Sequence, residues 1–168
     1  MRYIELQEAV NDHFLFHAAA CDDAARIIVQ DCILPKTSHH NERLGYPADS
    51  GYRTGVSLTR DLRFARQFRK NGAIFCLNAA KLRHNYPLKP IDYFAARRRG
   101  GTHNIKSKTE CEEFAITPKG ITPLSRYLIA IEIPRAEYER CLEDNEEWGD
   151  IEDSRYGVLT NHPLLRIV

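Results

Sequence analysis

Short apolar runs, each of four to eight residues, recur along this chain and constrain its fold more than any other feature. Runs of this length that end at glycine, proline or polar residues are typical of β-strands, because helices are usually longer. In the longest run Tyr127, Ile129 and Ile131 alternate with other residues, as the two faces of a strand require. The pattern predicts strands over residues 14–17, 55–58, 73–77, 113–117 and 126–133, and a last strand in 157–168 that Pro163 interrupts.

Three segments have helical periodicity instead. Residues 2–13 form a short amphipathic pattern, and residues 22–32 begin with two aspartates and continue as an apolar stripe. A third helix follows residue 58, with Thr59 as its predicted N-cap and Asp61 as a second helix-start residue. Because the helices lie early in the chain and the strand pairs late, the order favours an α+β fold over a doubly wound sheet.

Two long segments, residues 35–54 and 85–111, contain many turn-forming residues and little periodicity. Loops of this length are uncommon in a compact domain and are usually functional or disordered, so they indicate a site. Residues 97–108 carry only positive charge, whereas residues 143–153 are strongly acidic. The basic loop suits an anionic ligand or a solvated surface equally well.

The length of 168 residues suits one hydrophobic core, and we predict a single domain over residues 1–168. Lys and Arg total 24 against 23 Asp and Glu, so the net charge predicts neither a nucleic-acid nor a membrane partner. Five scattered cysteines, no signal peptide and no long apolar run predict a soluble, cytoplasmic protein without disulfides. Since HExxH, GxGxxG and P-loop motifs are absent, we expect no metal site and neither common nucleotide-binding fold.

His17 and a pair of glutamates stand at the ends of predicted strands. The ring of His17 can bond the backbone, or it can donate to a polar ligand at the edge of a cleft. Alternation puts Glu112 and Phe114 on one face of their strand and Glu113 on the other. If Phe114 points into the core, Glu113 therefore projects the opposite way, into a groove.

Three motifs follow one another along the chain. A histidine closes the aromatic-rich run FLFH, a glycine-led strand turns into a helix in GVSLTRDLRFARQF, and a glutamate directly precedes an aromatic residue in EFAI. This arrangement, followed by PLSRYLIAIEI, resembles the catalytic domain of ADP-ribosyltransferases, nearest the diphtheria-toxin and poly-ADP-ribose polymerase branch. The resemblance covers residues 14–133. It implies a split β-sheet sandwich flanked by short helices.

The resemblance also implies an activity: transfer of ADP-ribose from NAD to a macromolecule with release of nicotinamide, as mono-ADP-ribosylation rather than polymerisation. Position by position, Glu113 matches the catalytic glutamate and His17 the histidine that bonds the dinucleotide. Ser57 stands where this branch has a tyrosine, as serine does in the Arg-Ser-Glu branch, and is the third catalytic candidate. Ala65 replaces a serine that bonds the carboxamide, and Phe68 matches the aromatic residue that stacks on nicotinamide.

Cleavage between nicotinamide and ribose develops positive charge on the sugar, which a nearby carboxylate stabilises. Loop 95–111 would face the acceptor, a protein or a nucleic acid, or the pyrophosphate of the donor. The resemblance implies a bacterial or phage effector, and the biological role stays open between a toxin, a phage-borne modifier of host proteins and a repair factor. The predicted cofactor-binding residues are His17, Gly55, Val56, Ser57, Thr59, Phe64, Phe68 and Arg97.

Two alternatives stay open. RNA 2′-phosphotransferases share this NAD-using fold and rely on several arginines and a histidine, for which His17 and the basic loop are candidates. A catalytically inactive module that binds NAD or ADP-ribose is the other alternative, and the residues at positions 57 and 65 favour it.

Overall fold

The computed structural model describes residues 13–35, 55–68, 72–91, 112–147 and 156–168. Seven strands lie within these ranges. They are β1 Phe14–Ala19, β2 Gly55–Thr59, β3 Ala73–Asn78, β4 Leu88–Ile91, β5 Glu112–Ile116, β6 Leu128–Ile133 and β7 Leu165–Ile167.

Five α-helices and one short 3₁₀ helix, Leu124–Arg126, accompany the strands in the same ranges. In this part of the chain no helix has both the length and the apolar composition that a membrane crossing needs. The α-helices are α1 Cys21–Gln30, α2 Leu62–Phe68, α3 Ala79–Asn85, α4 Arg135–Glu147 and α5 Gly157–Thr160.

The described strands form one sheet in the order β4-β5-β2-β1-β3-β6-β7, with every neighbouring pair antiparallel except β6 and β7. The predicted α+β class is confirmed. Central strand β1 pairs with β3 along its whole length, from Phe14 to Ala19. It pairs with β2 at a single position, where Phe16 lies opposite Thr59. The sheet therefore has two well-paired halves that meet at a narrow junction.

Different helices cover the two faces of this sheet. Leu15 and Phe75 belong to the larger core cluster, which also includes apolar residues of α1, α3 and α5. Phe16 belongs to a smaller cluster on the opposite face, where it packs with Leu62 and Ala65 of α2. Because Leu15 and Phe16 are adjacent in β1, strand alternation places them on opposite faces, and the sheet is buried from both sides.

Two predicted elements are wrong, and two helices were not predicted. The loop expected over residues 85–111 contains β4 at its start, since Pro90 is tolerated in an edge strand that needs no ladder N–H at that position. The tail expected as a strand from residue 157 begins instead with helix α5. Helices α3 and α4 were not predicted. For α4 the reason is that its sequence is rich in charge and lacks a broad apolar face.

The other predicted elements either agree with the structure or lie outside the described residues. The strands predicted at 14–17, 55–58, 73–77, 113–117 and 126–133 are confirmed as β1, β2, β3, β5 and β6, with ends shifted by a few residues. The helix predicted over 22–32 is confirmed as α1. The helix predicted over residues 2–13 and all but the first residue of the loop predicted over 35–54 lie outside the described residues.

Asp31 ends α1 and ties it to the turn before β6. Its backbone is left-handed, with φ of 47°. The carboxylate accepts hydrogen bonds from the Ser125 N–H at 2.6 Å and the Ser125 hydroxyl at 2.9 Å, and the Asp31 carbonyl accepts from Leu124 N–H at 2.8 Å. A short polar side chain suits this position, since aspartate and asparagine tolerate the left-handed region.

We expect Asp31→Ala to lower the free energy of unfolding by about 2–3 kcal/mol, because two hydrogen bonds to a carboxylate are lost and alanine is strained in this conformation. Asp31→Asn keeps an acceptor oxygen and the tolerance for positive φ, so its loss should be below about 1 kcal/mol. Urea denaturation of both variants measures the difference. Equal losses would show that the carboxylate does not hold this turn.

Candidate functional site

The junction between β1 and β2 brings His17 against the glycine-led strand. The half-buried imidazole places Nδ1 3.0 Å from the backbone oxygen of Ser57. Because a carbonyl only accepts, Nδ1 carries the proton in this hydrogen bond. The backbone bond that the sequence allowed for His17 is therefore present, and it orients the ring.

Glu113 lies on the far side of β2 from His17. In the pairing of β2 with β5, Glu113 is opposite Leu58 and Glu112 is opposite Thr59. Phe16 of β1 is paired with Thr59 of β2. One residue along from this pair, His17 of β1 lies next to Leu58 of β2, and Leu58 is in turn paired with Glu113 of β5. Two strand spacings separate the backbones of His17 and Glu113, which corresponds to roughly 10 Å.

Register assigns the two glutamate positions to different faces of the sheet. Residues directly opposite each other in an antiparallel pair share a face, so position 113 belongs to the face of Leu58 and position 112 to that of Thr59. Leu58 is buried in the larger core cluster, on the same face as Leu15 and, by alternation, His17. Positions 17 and 113 therefore lie on one face of the sheet.

Strand β2 is mostly buried. Gly55, Val56 and Thr59 are buried, whereas Ser57 is half-buried. The side chain of Val56 belongs to the larger core cluster, so the dinucleotide contact predicted for Val56, which stays a prediction, would involve its backbone. Of the predicted residues on β2, Ser57 has the most exposed side chain, and its carbonyl is the acceptor for His17.

The turn from β2 into α2 is held by Asp61. Its Oδ1 accepts from the N–H of Arg63 at 2.9 Å and of Phe64 at 3.3 Å, which makes Asp61 the N-cap. Thr59 was predicted as the cap, and this is wrong: its hydroxyl accepts from the Asp61 N–H at 3.1 Å, outside the helix. Asp61 immediately precedes the first helical residue, so its carboxylate is the one that reaches the first-turn amides.

The residues of α2 have different surroundings. Ala65 is 1% exposed and packs with Phe16 and Ile74 in the smaller cluster, so this position supports the helix on the sheet. Phe64 is half-buried. The side chain of Phe68 lies outside the described residues, as do those of Glu112, Glu113 and Phe114, so the expectation that Phe114 points into the core stays untested.

Basic residues surround the start of α2, and carboxylates hold two of them. The Nε of Arg63 lies 3.6 Å from the Oδ1 of Asp61. The Nη2 of Arg66 lies 3.0 Å from the Oε2 of Glu132, a residue that is buried. Sequence reasoning missed Glu132, because an acidic residue in an alternating strand gives no sign of its partner. The whole basic loop 95–111, including Arg97, lies outside the described residues.

We expect His17→Phe to lower the free energy of unfolding by about 1–2 kcal/mol, since the ring volume is kept but the bond to the Ser57 carbonyl is lost. Thermal or urea unfolding measures this loss. His84→Phe is the matched control, because His84 is exposed on α3. Equal effects at the two positions would show that the His17 hydrogen bond does not join the halves of the sheet.

Among the described residues, no group of three or more histidine, cysteine or acidic side chains is placed to hold a metal ion. Comparisons with protein-family models, with curated proteins and with solved structures found no match to this chain.

Proposed function

We propose that this chain is an NAD-dependent ADP-ribosyltransferase with the split sheet of that superfamily, and that the dinucleotide binds where β1 leaves β2. The observation that carries the proposal is His17 bonded to the Ser57 carbonyl at a junction of one residue pair, with Glu113 one strand beyond. Interior strands normally share a full ladder, which satisfies their backbone groups. Where two of them separate, their N–H and C=O groups can bond a flat carboxamide such as that of nicotinamide.

Charge development in the reaction explains the need for Glu113. When the bond from ribose C1′ to the nicotinamide nitrogen breaks, its electron pair leaves with nicotinamide and positive charge develops on the sugar. A carboxylate near this sugar stabilises the charge, as in glycoside cleavage. The nucleophile of the acceptor then forms the new bond to C1′ and loses its proton.

The anchored ring of His17 has a positioning role in this proposal. The bond between Nδ1 and the Ser57 carbonyl fixes the orientation of the ring next to the proposed position of the dinucleotide ribose. The backbones of His17 and Glu113 are two strand spacings apart, roughly 10 Å. A ligand oriented from both sides needs no large rearrangement before the bond breaks.

Ser57 gives this pocket a smaller wall than a tyrosine would. The resemblance implies a nicotinamide contact by Phe64 and Phe68, but α2 packs on the face of the sheet opposite to that of His17 and position 113, so this proposal does not assign the contact to them. Ala65 does not replace the missing serine contact, because it is buried against the sheet. The carboxamide is then held by backbone groups of β2.

Incubation with NAD labelled in its adenylate phosphate, in a bacterial lysate, tests this function. We expect label to enter protein or nucleic acid, with an equivalent release of nicotinamide. Label that reaches no macromolecule, with NAD intact, would contradict the proposal.

The same purified protein distinguishes the two alternatives. Removal of the phosphate from 2′-phosphorylated RNA in the presence of NAD would identify a 2′-phosphotransferase. Calorimetric binding of NAD or ADP-ribose without nicotinamide release would identify an inactive binding module. Either result would replace the transferase assignment. The location of the proposed site could then still be tested by substituting His17 and Glu113.

A further inference from the structure

Strand β7 forms one edge of the described sheet, and its hydrogen-bonded ladder runs to β6 alone. The Leu164 carbonyl accepts from the Ile131 N–H at 3.0 Å, and the Val168 N–H donates to the Ile133 carbonyl at 3.0 Å. Because successive residues of a strand direct their N–H and C=O groups to alternate sides, both groups of Ile167 point away from β6, to the open edge.

Leu165 contributes one more backbone group to this edge. Its N–H donates to the His162 carbonyl at 2.9 Å, whereas its carbonyl points the same way as the groups of Ile167. Among the described residues these three groups have no hydrogen-bond partner. The opposite edge of the sheet differs, since Pro90 of β4 has no N–H to donate. The edge of β7 therefore offers a donor and two acceptors to a further strand.

Arg166 is an exposed cation at the centre of this edge. It lies opposite Glu132 in the pairing of β7 with β6. The Glu132 carboxylate is buried and is held by the Arg66 guanidinium at 3.0 Å. In the part of the chain that the structure describes, Arg166 itself has neither a hydrogen bond nor an ion pair. Its charge can therefore pair with a further carboxylate.

Exposed apolar side chains surround this cation. Leu165 packs against the larger core cluster, so alternation places Arg166 on the opposite face of the sheet. Leu164 and Val168, two residues to either side, share that face and are 39% and 56% exposed. On the other face Ile167 is 40% exposed. An edge that combines open backbone groups with exposed apolar residues is typical of an interaction surface.

We propose that the edge of β7 binds an extended segment of a partner protein as an added strand. The segment carries an acidic residue opposite Arg166 and an apolar residue two positions to either side of it. Main-chain hydrogen bonds to Leu165 and Ile167 hold the segment, and the carboxylate selects it. The proposal does not depend on NAD chemistry, so it stands or falls separately from the transferase assignment.

The charge at this edge argues against a second copy of the chain as the occupant. Two β7 strands that pair antiparallel through Leu165 and Ile167 would place Arg166 of one copy opposite Arg166 of the other. Like charges directly opposite each other destabilise such a pair, whereas opposite charges stabilise it. An acidic strand therefore complements the edge, and a copy of β7 does not.

Fluorescence anisotropy of a labelled, end-capped peptide with the full-length chain tests the proposal. The probe is TVTETVT, which has valines two positions to either side of its glutamate, and TVTKTVT is the matched control. We expect TVTETVT to bind at least about fivefold more tightly, and Arg166→Glu to reverse this order. Equal affinities for the two peptides, or no binding of TVTETVT at up to about 1 mM, would overturn the proposal.

The backbone groups of Ile167 give a second readout. Ile167→Pro removes the N–H that faces the open edge and leaves the bonds to β6 in place. It should weaken the binding of TVTETVT at least about fivefold, whereas Ile167→Thr keeps the N–H and should change it by less than about twofold. Undiminished binding by the proline variant would show that the peptide does not add to this edge.

Amide signals of the ¹⁵N-labelled wild-type protein locate the peptide without any substitution. We expect TVTETVT to shift the signals of residues 165–167. Shifts confined to β4, at the other edge of the sheet, would overturn the proposal. Sedimentation of the chain alone as a dimer whose β7 amides are protected from exchange would also overturn it, because a second copy would then occupy the edge.

Discussion

Glu113→Gln is expected to reduce the release of nicotinamide from NAD by about 10²–10³-fold, because the glutamine cannot stabilise the positive charge that develops on the ribose. The backbone position is kept, so the pairing with Leu58 should persist. Initial rates of nicotinamide formation, measured with saturating NAD, report this change directly.

Glu112→Gln is the matched control for that experiment. It removes the same charge one residue away, at a position that register assigns to the other face of the sheet, opposite Thr59. Nicotinamide release should fall by less than about threefold in this variant, since its carboxylate does not face the sugar. A reversal, with the larger loss at Glu112, would move the catalytic carboxylate to the other face of β5.

Gly120→Ala is expected to lower the free energy of unfolding by about 3–5 kcal/mol, the range of severe backbone and packing defects. Gly120 has φ of 84°, where residues with a side chain are strained. A Cβ there would lie 2.5 Å from the Ile33 carbonyl oxygen and 2.9 Å from the Cys32 sulfur. The clash would separate the bridge in which Ile33 and Ile121 exchange hydrogen bonds of 3.1 and 2.9 Å.

Two further variants identify the cause of that loss. Gly120→Asn tolerates positive φ better but still adds a Cβ, so its loss should remain within about 1 kcal/mol of the alanine variant. Lys119→Ala, at the exposed neighbouring position, should change stability by less than about 0.5 kcal/mol. Urea denaturation measures all three. A small effect of Gly120→Ala would mean that the bridge between residues 33 and 121 can move at little cost.

Local patterns were sufficient to predict most of the interior strands. Residues 55–58 and 73–77 are apolar, short and bounded by polar residues, and β2 and β3 extend each by only one residue. Strand β4 was hidden because Pro90 is usually incompatible with a strand, and only its place at the sheet edge removes that conflict. The edge position depends on pairing with β5, which a local pattern does not contain.

Long-range contacts account for the rest of what could not be predicted. The single pair that joins β1 to β2 depends on how far the two strands diverge, and the sequence has no local signal for it. The hydrogen bond from the Cys21 thiol to Glu137 joins two helices whose residues are 116 positions apart, so the scattered cysteines gave no hint of it. Alternation separated Glu112 from Glu113, but the face of each position needed the register against β2.

The candidate site is thus a combination of local and long-range features. His17 could be singled out from the sequence because it ends an apolar run, whereas its bond to Ser57 depends on residues 40 positions apart. This bond is compatible with the functional interpretation because it orients the ring where β1 and β2 share a single residue pair.

Nuclear magnetic resonance of the ¹⁵N-labelled protein with NAD tests the proposed site most directly, because one sample reports both binding and cleavage. We predict that amide signals of His17, Ser57 and Glu113 shift as NAD is added, and that the signals of free nicotinamide then increase with time. Shifts confined to other parts of the chain, or NAD that stays intact beside a folded protein, would contradict the account.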